Sequence, residues 1–254
     1  MTDAVQTNDA EGVLVITINR PEARNAVNGE VAAGIAAALD ALDSRDDLTV
    51  AVITGAGGTF CAGMDLKAFL TGERPSIPGR GFAGLTQAPP AKPLIAAVEG
   101  YALAGGCEIA LSCDLVVAAE NAKFGLPEVK RGLVAAAGGL LRLPRRIPYQ
   151  VAMELALTGE FLDARRGHHF GLVNRLTAPG GALDGARELA AAIAANGPLA
   201  VRATKAVVAG AADWPADAFW ERQQVIVEPV FTSADAREGA RAFAEKRLPR
   251  WTGR

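Results

Sequence analysis

The chain has 254 residues, half of them apolar and 6% aromatic, with 26 Lys+Arg against 28 Asp+Glu. A formal net charge of -2 provides no general nucleic-acid-binding surface, and no apolar run approaches the roughly 20 residues that span a bilayer. Three cysteines, Cys61, Cys107 and Cys113, make no CxxC pair and no even disulfide set, so they read as small buried thiols in a cytoplasmic protein.

Residues 1–12 are polar and acidic, with neither an apolar signal core nor an Arg-rich amphipathic pattern. Val13–Ile18 is a β-branched run ended by Asn19-Arg20-Pro21, which predicts a strand and a turn. Asn28 is placed to cap a helix running to about Asp43, with Val31, Ile35, Leu39 and Leu42 on one face. Residues 50–54 form the next strand, followed by the small-residue bend Phe60-Cys61-Ala62-Gly63-Met64-Asp65-Leu66. Residues 71–93 hold many Gly and Pro without a clean period, and read as a mobile segment of a length that usually serves function. A strand at Leu94–Val98 leads to a second bend, Gly100-Tyr101-Ala102-Leu103-Ala104-Gly105-Gly106, and a helix from about Gly105 to Cys113. Residues 115–118 read as a buried strand and 123–128 as a strand passing into a loop. From Ala136 the pattern is mainly helical, broken at Pro144, Pro148, Gly159, Gly171, Gly180 and Pro198. Large apolar residues, among them Trp214, Phe219, Trp220, Phe231 and Phe243, gather in the last helices. This order predicts an α/β core over residues 1–195 and a helical C-terminal region over 196–254 that packs on another subunit as well as on its own core.

Each bend follows an apolar strand, and each can turn a free backbone N–H toward one point. Two such donors make a pocket for a negatively charged oxygen. Glu108 lies one turn into the helix after the second bend, and Glu128 follows Pro127. Alone, Glu108 reads as a solvated charge complementing the helix dipole, and Glu128 as a surface loop charge. Set beside two N–H-presenting bends, they become an acid/base pair next to an oxyanion trap. Other chemistries lack their parts. There is no Gly-x-Ser-x-Gly elbow, no phosphate-binding glycine loop and no HExxH spacing. His168 and His169 read as surface residues, and no metal site is expected.

Several segments resemble the enoyl-CoA hydratase/isomerase (crotonase) superfamily. They are Asn19 to Ala26, Phe60 to Lys67, Gly100 to Glu108, Cys113-Asp114, Phe124 to Glu128, Leu157-Thr158-Gly159, Gly171 to Asn174 and Glu238 to Arg247. They occur in family order from about residue 12 to the end. The resemblance implies an α/β crotonase spiral of ββα units with a helical C-terminal extension, assembled as a homotrimer or a dimer of trimers. It implies neither metal nor redox cofactor, coenzyme A being part of the substrate. The N–H groups of Met64 and Gly105 become the oxyanion donors on a thioester oxygen. Met64 stands where hydratases usually carry a smaller residue.

Both glutamate positions of the hydratases are filled. Glu108 is then the group that helps remove a proton from water as its oxygen adds to the β-carbon, and Glu128 supplies a proton to the α-carbon. Isomerase-type relatives often keep one of these carboxylates, so the pair favours hydration or dehydration. The reaction implied is reversible syn hydration of a trans-2-enoyl-CoA. For coenzyme A the resemblance implies the backbone of Ala62, Met64, Asp65, Leu66 and Lys67, together with Gly105. Arg24 and Lys67 are cationic neighbours, and Phe243 and Lys246 a C-terminal contact sometimes supplied by an adjoining subunit. The ending from Phe243 to Arg254 also resembles carnitinyl-CoA dehydratases, although no aromatic cage for a quaternary ammonium is apparent. The same superfamily resemblance is compatible with an enoyl-CoA isomerase and with a non-catalytic acyl-CoA-binding protein. In the stretch after Glu128, alanines stand where common hydratases have a proline and a glycine, and Lys130 and Arg131 read as facing solvent.

Overall fold

Described for residues 4–254, the structure is a computed structural model. A tight turn with positive φ at Glu11 (52°) and Gly12 (80°) joins β1 (Val5–Ala10) to β2 (Val13–Ile18). β1 is not apparent in the sequence because it is a polar edge strand with nearly every residue exposed. Helix α1 (Gly29–Ser44) starts at Asn28, whose side chain accepts the Val31 N–H at 3.0 Å, and it buries Val31, Ile35, Leu39 and Leu42 as expected. Next come β3 (Val50–Gly55), α2 (Leu66–Leu70), the small hairpin of β4 (Ser76–Ile77) and β5 (Gly81–Phe82), and β6 (Leu94–Val98). The expected irregular segment thus contains that hairpin and drives Ala83 and Leu85 into the core.

β7 (Tyr101–Leu103), α3 (Gly105–Ser112), β8 (Leu115–Ala119) and β9 (Lys123–Gly125) follow, and Glu128 lies in a 3₁₀ turn at Pro127–Arg131 rather than an open loop. The second half holds α4 (Gly139–Arg146), α5 (Tyr149–Thr158), β10 (Leu162–Asp163), α6 (Ala164–His169), β11 (Arg175–Thr177) and α7 (Ala182–Ala194). The chain closes with α8 (Pro198–Ala211), α9 (Phe219–Phe231) and α10 (Ala234–Ala244). Two expectations are corrected here. Pro144 lies inside α4 instead of breaking it; so near the C-terminal end, its missing N–H removes a single ladder bond. β10 and β11 interrupt a region that reads as helical, because two and three residues are too few to show a period of two.

The larger sheet has the order β1-β2-β3-β6-β8-β11, parallel except for the first pair. Its strands are apolar runs because both faces are covered. Leu14, Ile16, Ala51, Ile53 and Ala96 enter the core shared with α1, while Val13, Val15, Val50, Val52 and Ile95 pack against Ala182, Ala186 and Ala190 of α7. A second sheet, β10-β9-β7, takes the short strand that follows each of β6 and β8. The unit β6–β7–α3 therefore steps from one sheet to the other before turning into a helix, and the candidate residues Gly105 and Glu108 lie at that step.

Helices α8 and α9 bury no residue, and Trp220, Val225, Phe231 and Phe243 are 72%, 72%, 75% and 88% exposed. Lys205 ties α8 to the core through Asp114 (2.7 Å) and the Lys92 carbonyl (2.9 Å). No helix among the described residues is long and apolar enough to cross a membrane.

Candidate active site

The two bends are laced together by backbone hydrogen bonds. Cys61 donates to the Tyr101 carbonyl (2.9 Å) and accepts from Leu103 N–H (3.0 Å). Val27 donates to Gly63 O (2.8 Å) and accepts from Asp65 N–H (2.9 Å), a parallel bridge opposite Met64. In that pattern the N–H of Met64 itself points away from Val27. On the other bend, Ala104 has φ 51° and ψ -127°, a strained conformation costing about 1–3 kcal/mol. Its N–H donates to Gly125 O (2.9 Å) and its carbonyl accepts from Glu108 N–H (3.1 Å), so the strain is held from both sides. The twist opens α3 with the Gly105 N–H as one of the helix's unpaired first donors.

Close approach dictates two glycines. A methyl group at Gly63 would lie 3.2 Å from the nitrogen of Gly105, and one at Gly106 would run into the Cys61 carbonyl. Met64 and Gly105 then line one cavity of about 540 Å³ together with Glu108 and Glu128. Arg24, Ala62 and Leu66 line it as well.

Glu108 is 3% exposed, and its Oε1 accepts N–H bonds from Ala137 (2.7 Å) and Gly139 (2.9 Å). Burial pushes its carboxyl up to about 7; those two amides pull it down, and the Glu128 charge pushes it further up. The alanine-rich stretch therefore has a definite task, since the amide of Ala137 orients the carboxylate. Backbone amides leave no side-chain signature, and the Gly138-Gly139 pair is the only sequence sign of a sharp turn there. Burial also raises Glu128, against the pull of its own backbone N–H and of Arg131. Its Oε2 is buried without a hydrogen-bond partner among the described residues.

Other expected residues lie elsewhere. Asp65 caps α2 by accepting from Lys67 N–H (3.0 Å) and Ala68 N–H (3.3 Å), and pairs with Arg20 at 3.0 Å. Lys67 is exposed on α2 outside the cavity wall, and Phe243 and Lys246 are at the far C-terminal end, likewise not lining it. Lys130 and Arg131 are exposed, as expected, but also border the cavity, with Lys130 paired to Glu160 at 2.6 Å. Three phenylalanines that sequence reasoning missed, Phe69, Phe82 and Phe161, complete the apolar wall. His168 stays on α6 with Nδ1 2.8 Å from Val173 O. The three cysteines are buried, which pushes the thiols of Cys61 and Cys107 to about 12 and that of Cys113 higher still. They are inert packing groups.

The backbones of two bends, one of them a strained strand-to-helix turn, and two carboxyls raised by burial thus meet on one cavity, an arrangement able to bind a negatively charged oxygen and to exchange protons beside it. The profile of the enoyl-CoA hydratase/isomerase family matches residues 8–254. An enoyl-CoA hydratase of Mycobacterium tuberculosis is 43% identical over 252 residues, covering 95% of this chain and 93% of that one. A carnitinyl-CoA dehydratase of Salmonella paratyphi A is 42% identical over 265 residues, covering 100% of both. The crystal structure of an enoyl-CoA hydratase from Mycobacterium tuberculosis superposes with a TM-score of 0.98 at 60% identity, covering 99% of this chain and 100% of that one. The chain belongs to the enoyl-CoA hydratase/isomerase family, has the crotonase fold and is a lyase of the hydratase–dehydratase type.

Proposed function

We propose that the chain catalyses reversible syn addition of water to a trans-2-enoyl-CoA, giving a 3-hydroxyacyl-CoA. One observation carries this reading: Glu108 and Glu128, both raised by burial, border the cavity that Met64 and Gly105 also line. The thioester oxygen accepts from the amides of Met64 and Gly105, which stabilise the enolate as charge develops; losing one such donor typically costs about 10²–10³ in rate. Glu108 Oε1 is already bonded to two amides, so Oε2 takes the proton of the attacking water as its oxygen bonds to the β-carbon. Glu128 gives its proton to the α-carbon. The pair ends with as many protons as it began with, and water is the only co-reactant. Coenzyme A arrives on the substrate, and no metal or redox group takes part.

Arg24 on the cavity wall is a cationic neighbour for the nucleotide end, with Lys67 close by on α2. We further propose that the exposed aromatic faces of α9 and α10 assemble a trimer or a dimer of trimers. Phe243 and Lys246 then reach the coenzyme A of an adjoining subunit. Trp220→Glu with Phe231→Glu should dissociate the assembly in sedimentation; an unchanged oligomer would refute this. Three buried free thiols suit the cytoplasm.

Dehydration of a carnitinyl-type thioester is the second reading, favoured by the 42% identity to a carnitinyl-CoA dehydratase. Charge opposes it. Arg24, Lys130 and Arg131 all border the cavity, and Arg74 already covers the face of Phe69 at 4.2 Å from the ring centre. Crotonyl-CoA hydration, followed by loss of enoyl-thioester absorbance, decides between the readings. Turnover that falls about 10²–10⁴ in Glu108→Gln and Glu128→Gln, with thioester binding retained, is the expected result. Binding without turnover would mark a non-catalytic acyl-CoA protein, and faster turnover of carnitinyl-CoA the dehydratase.

A further inference from the structure

Two buried side-chain oxygens among the described residues have no hydrogen-bond partner, Glu128 Oε2 and Thr86 Oγ1, and both residues line the same cavity. The proposed reaction uses the first. Nothing in it uses the second. Thr86 is 2% exposed, and its backbone is fixed on both sides: its N–H donates to Phe82 O at 3.2 Å, and its carbonyl accepts from Arg142 Nη2 at 2.7 Å. Its backbone is therefore held in place while its buried hydroxyl has nothing to bond among the described residues, at a position where a valine would fill the same volume without leaving a polar atom unsatisfied.

Gln87, the next residue, also lines the cavity. The two side chains stand together against Gly81, where a methyl group would lie 2.9 Å from Thr86 Oγ1 and 2.6 Å from Gln87 Cγ. Gly81 opens β5, and the ring of the next residue, Phe82, lies directly against Gly105, so the Thr86–Gln87 pair stands on the same wall as the oxyanion donor. The same cavity also has apolar lining from Leu66, Phe69, Leu133 and Val134. A hydroxyl and a carboxamide both donate and accept, so they suit a neutral oxygen.

We propose that Thr86, with Gln87 beside it, is a specificity-determining subsite for a hydroxyl or keto oxygen on the acyl chain of the substrate. This rests on the hydratase reading. A plain alkyl chain would leave the buried Thr86 hydroxyl unbonded, and a site built to bond a substrate oxygen rejects the analogue that lacks it. The test is a series of trans-2-octenoyl-CoAs, each bearing a hydroxyl or keto group at a different carbon beyond the double bond, compared with unsubstituted trans-2-octenoyl-CoA. Dissociation constants of the matching saturated thioesters are measured alongside. The best oxygenated member is expected to exceed the plain chain by about 10-fold in kcat/KM and in affinity. Thr86→Val should bring both ratios close to one, and Thr86→Ser should keep them. Wild-type ratios of one or below for every member, or ratios unchanged in Thr86→Val, would overturn the subsite. Because the saturated thioesters cannot react, an affinity ratio that persists without any hydration would overturn the hydratase reading while leaving the subsite standing.

Discussion

Glu108 and Glu128 border one cavity yet are held in opposite ways. Glu108 rises from a helix in which every residue is buried, with Oε1 gripped by the amides of Ala137 and Gly139. Glu128 sits on a five-residue turn in which only Pro127 is buried, flanked by exposed Lys130 and Arg131, and its Oε2 is bonded to nothing among the described residues. The fold orients one carboxyl before any substrate arrives and leaves the other to find its partner in the substrate or the attacking water. In the proposed reaction this inequality decides which carboxyl takes a proton and which gives one, whereas two identically placed carboxyls would share a single proton without fixed roles.

The largest effects should come from removing the carboxyls outright. Glu108→Ala and Glu128→Ala should each lower kcat for crotonyl-CoA by about 10²–10⁴, but their stabilities should part. Glu108→Ala strands the amides of Ala137 and Gly139 and should lower the thermal midpoint, whereas Glu128→Ala removes an unsatisfied buried oxygen and should leave it level or higher. Equal losses of stability would break the comparison. Next in size, Gly106→Ala should force apart the bends at the Cys61 carbonyl and cost about 10²–10³ in kcat, with both carboxyls still present. Full activity in that variant would show that the contact between the bends is not what places the Gly105 donor.

A third effect appears in pH dependence. Folding raises Glu108 from the ordinary 4.5 to about 7, so the folded chain binds its proton more tightly than the unfolded chain does. Stability should therefore fall as pH rises from about 4.5 to 7, by of order 2–3 kcal/mol. Denaturant unfolding at either end of that window measures it, and Glu108→Gln should flatten the slope. A slope that survives in Glu108→Gln would assign it to other groups. The smallest effect is expected from Arg131→Ala. Its charge holds Glu128 down, so removing it should move the high-pH limb of the kcat/KM profile, where Glu128 loses the proton it donates, upward by less than about one pH unit. A downward move would contradict the placement of Arg131 beside Glu128.

Much of this frame was legible in the sequence, and the gaps have physical causes. β2, β3, β6 and β8 read as apolar runs because the parallel sheet is covered on both faces, whereas polar β1 carries no such run. Each glutamate alone was ambiguous, and only their conjunction with the two bends pointed to acid/base work. What anchors Glu108 was invisible, because the amides of Ala137 and Gly139 belong to residues without functional side chains. Thr86 and Phe82 fell in an aperiodic segment whose packing is decided by long-range contacts rather than by a local pattern. Phe243 and Lys246 were legible only through family resemblance, and within one chain they do not reach the cavity.

The central claim is that the amides of Met64 and Gly105 share one oxygen between them. A crystal structure with a bound acyl-CoA analogue tests it most directly. The account predicts the thioester oxygen about 2.7–3.1 Å from both nitrogens, with the β-carbon facing Glu108 and Glu128. A thioester oxygen bonded to neither amide, or an acyl chain seated outside this cavity, would contradict it.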